Sequence, residues 1–146
     1  MPNVSESVEI AASPETAFTY IADAPERATT FIPGLNRISN VSQAQAGVGQ
    51  SWEYEFNWFG LVISGSSRCT KLERPSVYQF QTVTGNRSTW TYRFEPDGAG
   101  TRIVFNVEYE VPQSQLARFA AESTLERMNK ERAVEVLANL KGLIEE

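Results

Sequence analysis

The sequence predicts an α+β fold: a curled antiparallel sheet of about seven strands wrapped around one long C-terminal helix, with two short helices after the first strand. Three observations carry this. Apolar and polar residues alternate in an opening segment and again in a series of segments between Leu35 and Val111, separated by short Gly, Pro and Asn turns. Two helix-start signals stand close together after the opening segment. From Gln113 to Lys141 there is neither Gly nor Pro, and at about 1.5 Å per residue a helix of that length runs roughly 45 Å, enough to cross a small domain.

Val4, Val8 and Ile10 alternate with Ser5, Ser7 and Glu9, so Val4 to Ile10 reads as a half-buried strand with Glu6 on its apolar side. Ser13-Pro14-Glu15 then starts a helix. Ser13 caps it, Pro14 takes the first helical position, Glu15 complements the dipole, and Ala17, Phe18 and Ile21 form the inner face. Asp23-Ala24-Pro25-Glu26 repeats the signal and opens a second, short helix closed by Ile32-Pro33-Gly34. Beyond it, breaks at Ala46-Gly47, Asn57 to Gly60, Arg74-Pro75, Gly85-Asn86 and Pro96 to Gly100 separate about six strands. These include Ser51 to Trp58, Leu61 to Leu72, Val77 to Thr84, Arg87 to Glu95 and Thr101 to Val111. Short turns imply antiparallel neighbours, and a twisted sheet of about seven strands curls.

Period-two alternation states what lines the concave face. Trp52, Tyr54, Phe56 and Trp58 share one side of their strand; Tyr78 and Phe80, then Trp90, Tyr92 and Phe94, then Ile103, Phe105, Val107 and Tyr109 point the same way. Leu61 to Leu72 admits two phases, with either Val62, Ser64, Ser66 and Arg68 inward or Leu61, Ile63, Gly65 and Cys69. On the C-terminal helix, steps of about 100° place Leu116, Phe119, Ala120, Ser123, Val134, Leu137, Leu140 and Ile144 on one stripe, with Arg127 near its middle. Leu125, Met128, Val136 and Leu143 fall on the opposite side, facing away from the core. The C-terminal half of the stripe reads as core. The N-terminal half, thinner in large aliphatics, reads as the lid of a cavity.

Composition narrows the function. With 146 residues, 41% hydrophobic and 21% charged, the chain is of single-domain size and can bury one sizeable core. A net charge of -5 disfavours non-specific binding to nucleic acid or anionic membrane, which reward a basic patch. No apolar run approaches the roughly 20 residues that span a bilayer, and Met1 to Ser7 lacks the regions of a signal peptide, so a cytoplasmic protein is expected. The single cysteine, Cys69, reads as a small buried hydrophobe. Histidine is absent. That removes Ser/His and Cys/His nucleophile pairs and the usual zinc sites, so neither a metal nor another cofactor is expected.

The opening Val8-Glu9-Ile10-Ala11-Ala12-Ser13-Pro14-Glu15-Thr16-Ala17-Phe18 with Ile21-Ala22-Asp23, the Gly47-Val48-Gly49-Gln50-Ser51-Trp52 lead into a strand, and the Phe94-Glu95-Pro96-Asp97-Gly98-Ala99-Gly100-Thr101-Arg102 hairpin carry a resemblance. The whole chain resembles the START/Bet v 1-like (SRPBCC) superfamily, and more narrowly its polyketide cyclase/dehydrase-type branch. The resemblance implies a single helix-grip domain over residues 1–146 and a cavity between sheet and long helix for a lipid, polyketide or quinone-like molecule. It carries over no catalytic residue, since no stretch matches a cyclase motif, and a shared fold does not carry a shared reaction.

The cavity expected on these grounds has Phe31, Ile32 and Leu35 at its mouth, Trp52, Tyr54, Phe56, Tyr78, Trp90 and Tyr92 in its walls, and Leu116, Phe119, Ala120 and Ser123 in its lid. The alternative is a core that the rings fill by themselves. Arg127 on the inner stripe would either hold an anionic ligand group by paired hydrogen bonds or pair with an internal carboxylate such as Glu6. Tyr54, Tyr78 or Tyr92 would serve a cyclase or an isomerase by donating to a carbonyl, and the enzyme alternative is a polyketide cyclase/dehydratase working by tyrosine and carboxylate chemistry. A third expectation is a homodimer formed through Leu125, Met128, Val136 and Leu143 on the outer helix face.

Overall fold

A computed structural model of the chain describes residues 2–111 and 122–146. Seven strands, β1 (Asn3–Ile10), β2 (Leu35–Ser39), β3 (Ser51–Trp58), β4 (Leu61–Glu73), β5 (Val77–Thr82), β6 (Ser88–Asp97) and β7 (Gly100–Tyr109), form one antiparallel sheet in the order β1-β7-β6-β5-β4-β3-β2. Strands β2 to β7 are a meander. The sheet is completed by β1, which returns beside β7 with Glu6 opposite Phe105. Helix α1 (Pro14–Ala22) and a 3-10 helix (Pro25–Thr30) follow β1, and the long helix α2 (Glu122–Glu145) packs across β1 and β7. This is the helix-grip, START-like arrangement.

Local chemistry explains the elements that border the cavity. Ser13 Oγ accepts a hydrogen bond from Thr16 N at 3.2 Å, Pro14 opens α1, and Phe18, Ile21 and Ala22 are buried beneath it. Phe18 meets Phe94 edge-on at 5.2 Å, which docks α1 on the sheet. The β3–β4 hairpin turns through Phe59 and Gly60, both at positive φ, and Asn57 Oδ1 accepts from Gly60 N at 2.7 Å. Strand β4 takes the second of its two phases, with Leu61, Ile63 and Cys69 turned inward, until an irregularity between Cys69 and Lys71 brings Leu72 to the core side.

The face of α2 corrects the sequence expectation. Leu125 and Val136, expected outside, are each 1% exposed, whereas Val134, expected inside, is 49% exposed. Ser123 and Arg127 are exposed as well. The buried set is Leu125, Ala133, Val136, Leu137 and Leu140, a stripe centred about a third of a turn from the one drawn through Leu116, Phe119, Ala120 and Ser123. A phase taken from those four residues and carried down the helix is rotated by that amount. Leu116, Phe119 and Ala120 lie outside the described residues. The outward face carries Glu126, Arg127, Lys130, Glu131 and Glu135, and Leu143 packs against the core, so the apolar patch expected there does not form.

Candidate functional site

Between the concave face of the sheet and α2 lies a cavity in which the centres of water-sized spheres can occupy about 120 Å3. One water needs roughly 10–15 Å3 by that kind of measure, and an apolar void of this order accepts a benzene-sized ring. The rings therefore do not fill the space. Trp52, Tyr54 and Phe56 of β3, Tyr78 of β5, and Trp90 and Tyr92 of β6 line it together, as the alternation of their strands requires. Phe31, Ile32 and Leu35 border it from the 3-10 helix side. Ser123 and Arg127 are not among its lining residues, because the face of α2 that carries them points to solvent.

The rings hold one another in register. Tyr78 and Tyr92 are cross-strand partners stacked at 6.2 Å, Phe80 and Trp90 stack at 5.5 Å, and Tyr92 stacks on Phe105 at 4.9 Å. Three polar side chains on the sheet side are bonded within the protein, whereas the hydroxyls of Tyr78 and Tyr92 have no hydrogen-bond partner among the described residues. Tyr54 Oη donates to Thr84 O at 3.0 Å, Trp90 Nε1 donates to Ser88 Oγ at 2.9 Å, and Thr82 Oγ1 donates to Asn86 O at 2.5 Å. Burial pushes the phenols of Tyr54, Tyr78 and Tyr92 above their ordinary value, so at neutral pH all three are protonated donors and not bases.

The helix side differs. Asn129 and Arg132, three residues apart on α2 and so on neighbouring faces of one turn, both line the cavity. Trp58 Nε1 donates to Asn129 Oδ1 at 2.8 Å. An indole nitrogen can only donate, which fixes the orientation of the amide and leaves Asn129 Nδ2, a buried donor, without an acceptor among the described residues. Arg132 Nη1 donates to Pro33 O at 2.5 Å, and its guanidinium lies 4.6 Å from the centroid of the Phe59 ring. Burial lowers the Arg132 pKa, with Glu135 acting in the opposite direction. Gly34 makes room for this side chain: it has φ +89°, and a Cβ there would lie 2.5 Å from Asn57 O and 2.9 Å from Arg132 Nη1.

Sequence reasoning missed Asn129 and Arg132. The available signal was their spacing from Leu125, four and seven residues on, which puts them on the face that Val136 and Leu140 continue. Glu6 is half-buried on β1, and no ion pair joins it to Arg127 among the described residues. Cys69 is fully buried, with its thiol pKa raised by that burial.

A curled antiparallel sheet closed by a long helix over a ring-lined cavity defines a helix-grip protein of the START-like class. The chain belongs to the family described as polyketide cyclase/dehydrase and lipid transport, which matches residues 1–145. No curated protein sequence matches it. Among solved structures, a protein from Thermus thermophilus is similar with a TM-score of 0.81 at 18% identity, over 98% of this chain and 97% of that one. A START superfamily protein from Mycobacterium smegmatis gives 0.76 at 15% identity, over 98% and 97% of the two chains. The Zhui aromatase/cyclase from a Streptomyces species gives 0.72 at 17% identity, over 99% and 93%. At these identities the likeness concerns the fold. Family and fold together support a ligand-binding or cyclase role, and no helix among the described residues is long and apolar enough to cross a membrane.

Proposed function

We propose that residues 1–146 act as one START-like ligand-binding domain that takes an apolar or aromatic small molecule, such as a lipid, polyketide or quinone-like compound, into the cavity between sheet and α2. The observation that supports this is a void large enough for more than a single water, lined by aliphatic residues and by aromatic rings that stack on one another and leave it open. Binding would proceed in the cytoplasm, without nucleic acid as a partner. All three tryptophans line the cavity, so an apolar guest should quench their emission. Ala28 borders the same space, and Ala28→Trp should fill it and abolish uptake of 1-aminoanthracene while the far-UV circular dichroism is kept. Undiminished uptake by that variant would refute the location.

A second reading, a cyclase or dehydratase, is favoured by one observation: the buried phenols of Tyr78 and Tyr92 line the cavity as protonated donors. A phenol in a dry site stabilises an enolate developing from a carbonyl without removing a proton itself. Tyr92→Phe removes only the hydroxyl. Turnover of a poly-β-carbonyl substrate that falls at least about tenfold in this variant, with binding retained, would support catalysis.

A further inference from the structure

We infer that the cavity takes a ring compound carrying an anionic oxygen, a carboxylate, enolate or phenolate, and that Arg132 and Asn129 hold that oxygen. The inference rests on the ligand-binding reading above and adds a polarity to it. An apolar cavity tolerates a cation in its wall only where something answers the charge. The guanidinium of Arg132 meets Phe59 on its face and, among the described residues, a single acceptor, Pro33 O, which occupies one of its five N–H groups. No carboxylate lies within ion-pair distance of it among the described residues. One turn away Asn129 Nδ2 is a buried donor with no acceptor among the described residues, and the bond from Trp58 prevents the amide from turning round to hide it.

Several other polar atoms of the lining make a contrast. The hydroxyls of Tyr54 and Thr82 and the indoles of Trp58 and Trp90 all have protein partners. The phenols of Tyr78 and Tyr92, without a hydrogen-bond partner among the described residues, add neutral donors from the sheet, whereas the one turn of α2 with Asn129 and Arg132 combines an unpaired donor with a charge. An acceptor with negative charge and no proton to place satisfies both groups, and the fork of a guanidinium suits an oxygen anion geometrically. A neutral hydrocarbon would leave Asn129 Nδ2 unpaired and the Arg132 charge more thoroughly desolvated.

Three naphthalenes of one shape test this at pH 7 by displacement of 1-aminoanthracene: 2-naphthoate, 2-acetylnaphthalene and 2-ethylnaphthalene. In the wild-type chain, 2-naphthoate should bind roughly tenfold or more tighter than 2-ethylnaphthalene, with the neutral ketone between them. Arg132→Met, which keeps a stem against Phe59, should collapse that ratio toward one. Asn129→Asp, which keeps an acceptor for Trp58 but replaces the free donor with a negative oxygen, should collapse or invert it. Arg127→Met on the solvent face should leave it as it is. Equal affinities, or a ketone that equals the carboxylate, in the wild-type chain would overturn the inference while leaving the binding site in place, whether or not the variants fold. Failure of every probe to displace 1-aminoanthracene, or of that dye to bind, would overturn the binding reading and this inference with it.

Discussion

The sheet wall and the helix wall of the cavity divide its tasks. The sheet side is a mosaic of stacked rings in which Tyr54 and Trp90 are hydrogen-bonded within the protein and the phenols of Tyr78 and Tyr92 are neutral donors. The α2 side carries apolar residues that anchor the helix, Val136 and Ala133, and beside them a cation and an unpaired donor. On the proposed binding reading, area for a guest would come from the sheet and orientation from the helix. Rings have few rotamers to lose and bury much surface, so a preformed aromatic wall binds without first having to order itself. Polar groups in such a wall cost stability unless partnered, so they are confined to the few that discriminate between guests.

The sharpest way to break the comparison is to attack the anchor of the helix wall. Leu125→Glu should cost about 4 kcal/mol or more in urea unfolding, because it leaves a cavity and buries a charge at once. Val134→Glu on the exposed side should stay within about 0.5 kcal/mol. If Leu125→Glu were tolerated and instead dissolved a dimer, the helix face would be turned the other way.

A smaller effect probes the seat of the cation. Gly34→Ala should cost about 1–3 kcal/mol, through its positive φ and the clash with Asn57 O, and should disturb Arg132 more than any ring of the sheet. Smaller again is the link between the two walls. Trp58→Phe removes the indole donor and leaves Asn129 Oδ1 without its partner, for about 1–2 kcal/mol and a change in guest preference, while stacking on the sheet persists. Thermal melts of both variants with and without 2-naphthoate would measure these changes.

The smallest effect lies at the far end of α2, away from the cavity. Glu145 accepts from Ala11 N at 2.8 Å and from Lys141 Nζ at 2.7 Å, and the hydrogen bond from Lys141 is the main reason its pKa lies below the ordinary value. A depressed carboxylate contributes stability that is present above its unfolded pKa and is lost as pH falls through the folded one. Glu145→Gln should therefore narrow its difference from wild type only in acid, as followed by melts between neutral pH and pH 3.

The two walls were not equally legible in the sequence. Each strand declares its own phase within a few residues, since a period of two allows only two faces, and Trp52, Tyr54 and Phe56 leave no doubt which one is apolar. Where a strand's alternation is weak, as in Leu61 to Leu72, both phases stay open until its neighbours decide. A helix is different, because each residue advances the face by about 100° and the apolar stripe must be anchored somewhere. Anchored on Leu116, Phe119, Ala120 and Ser123, the stripe captured Leu137 and Leu140 but put Arg127 in the cavity in place of Arg132. The amide of Asn129 was invisible for a further reason: its free donor exists only because Trp58, distant in sequence, occupies the oxygen.

The central claim is that this cavity is a binding site for a ring compound, and native mass spectrometry of the chain purified from its own host tests it most directly. The account predicts a stoichiometric adduct whose denaturing release yields an apolar or aromatic compound, displaceable by 1-aminoanthracene in the wild-type chain and missing from Ala28→Trp. A chain that runs at its bare mass and takes up neither the dye nor any ring compound offered to it would contradict the account.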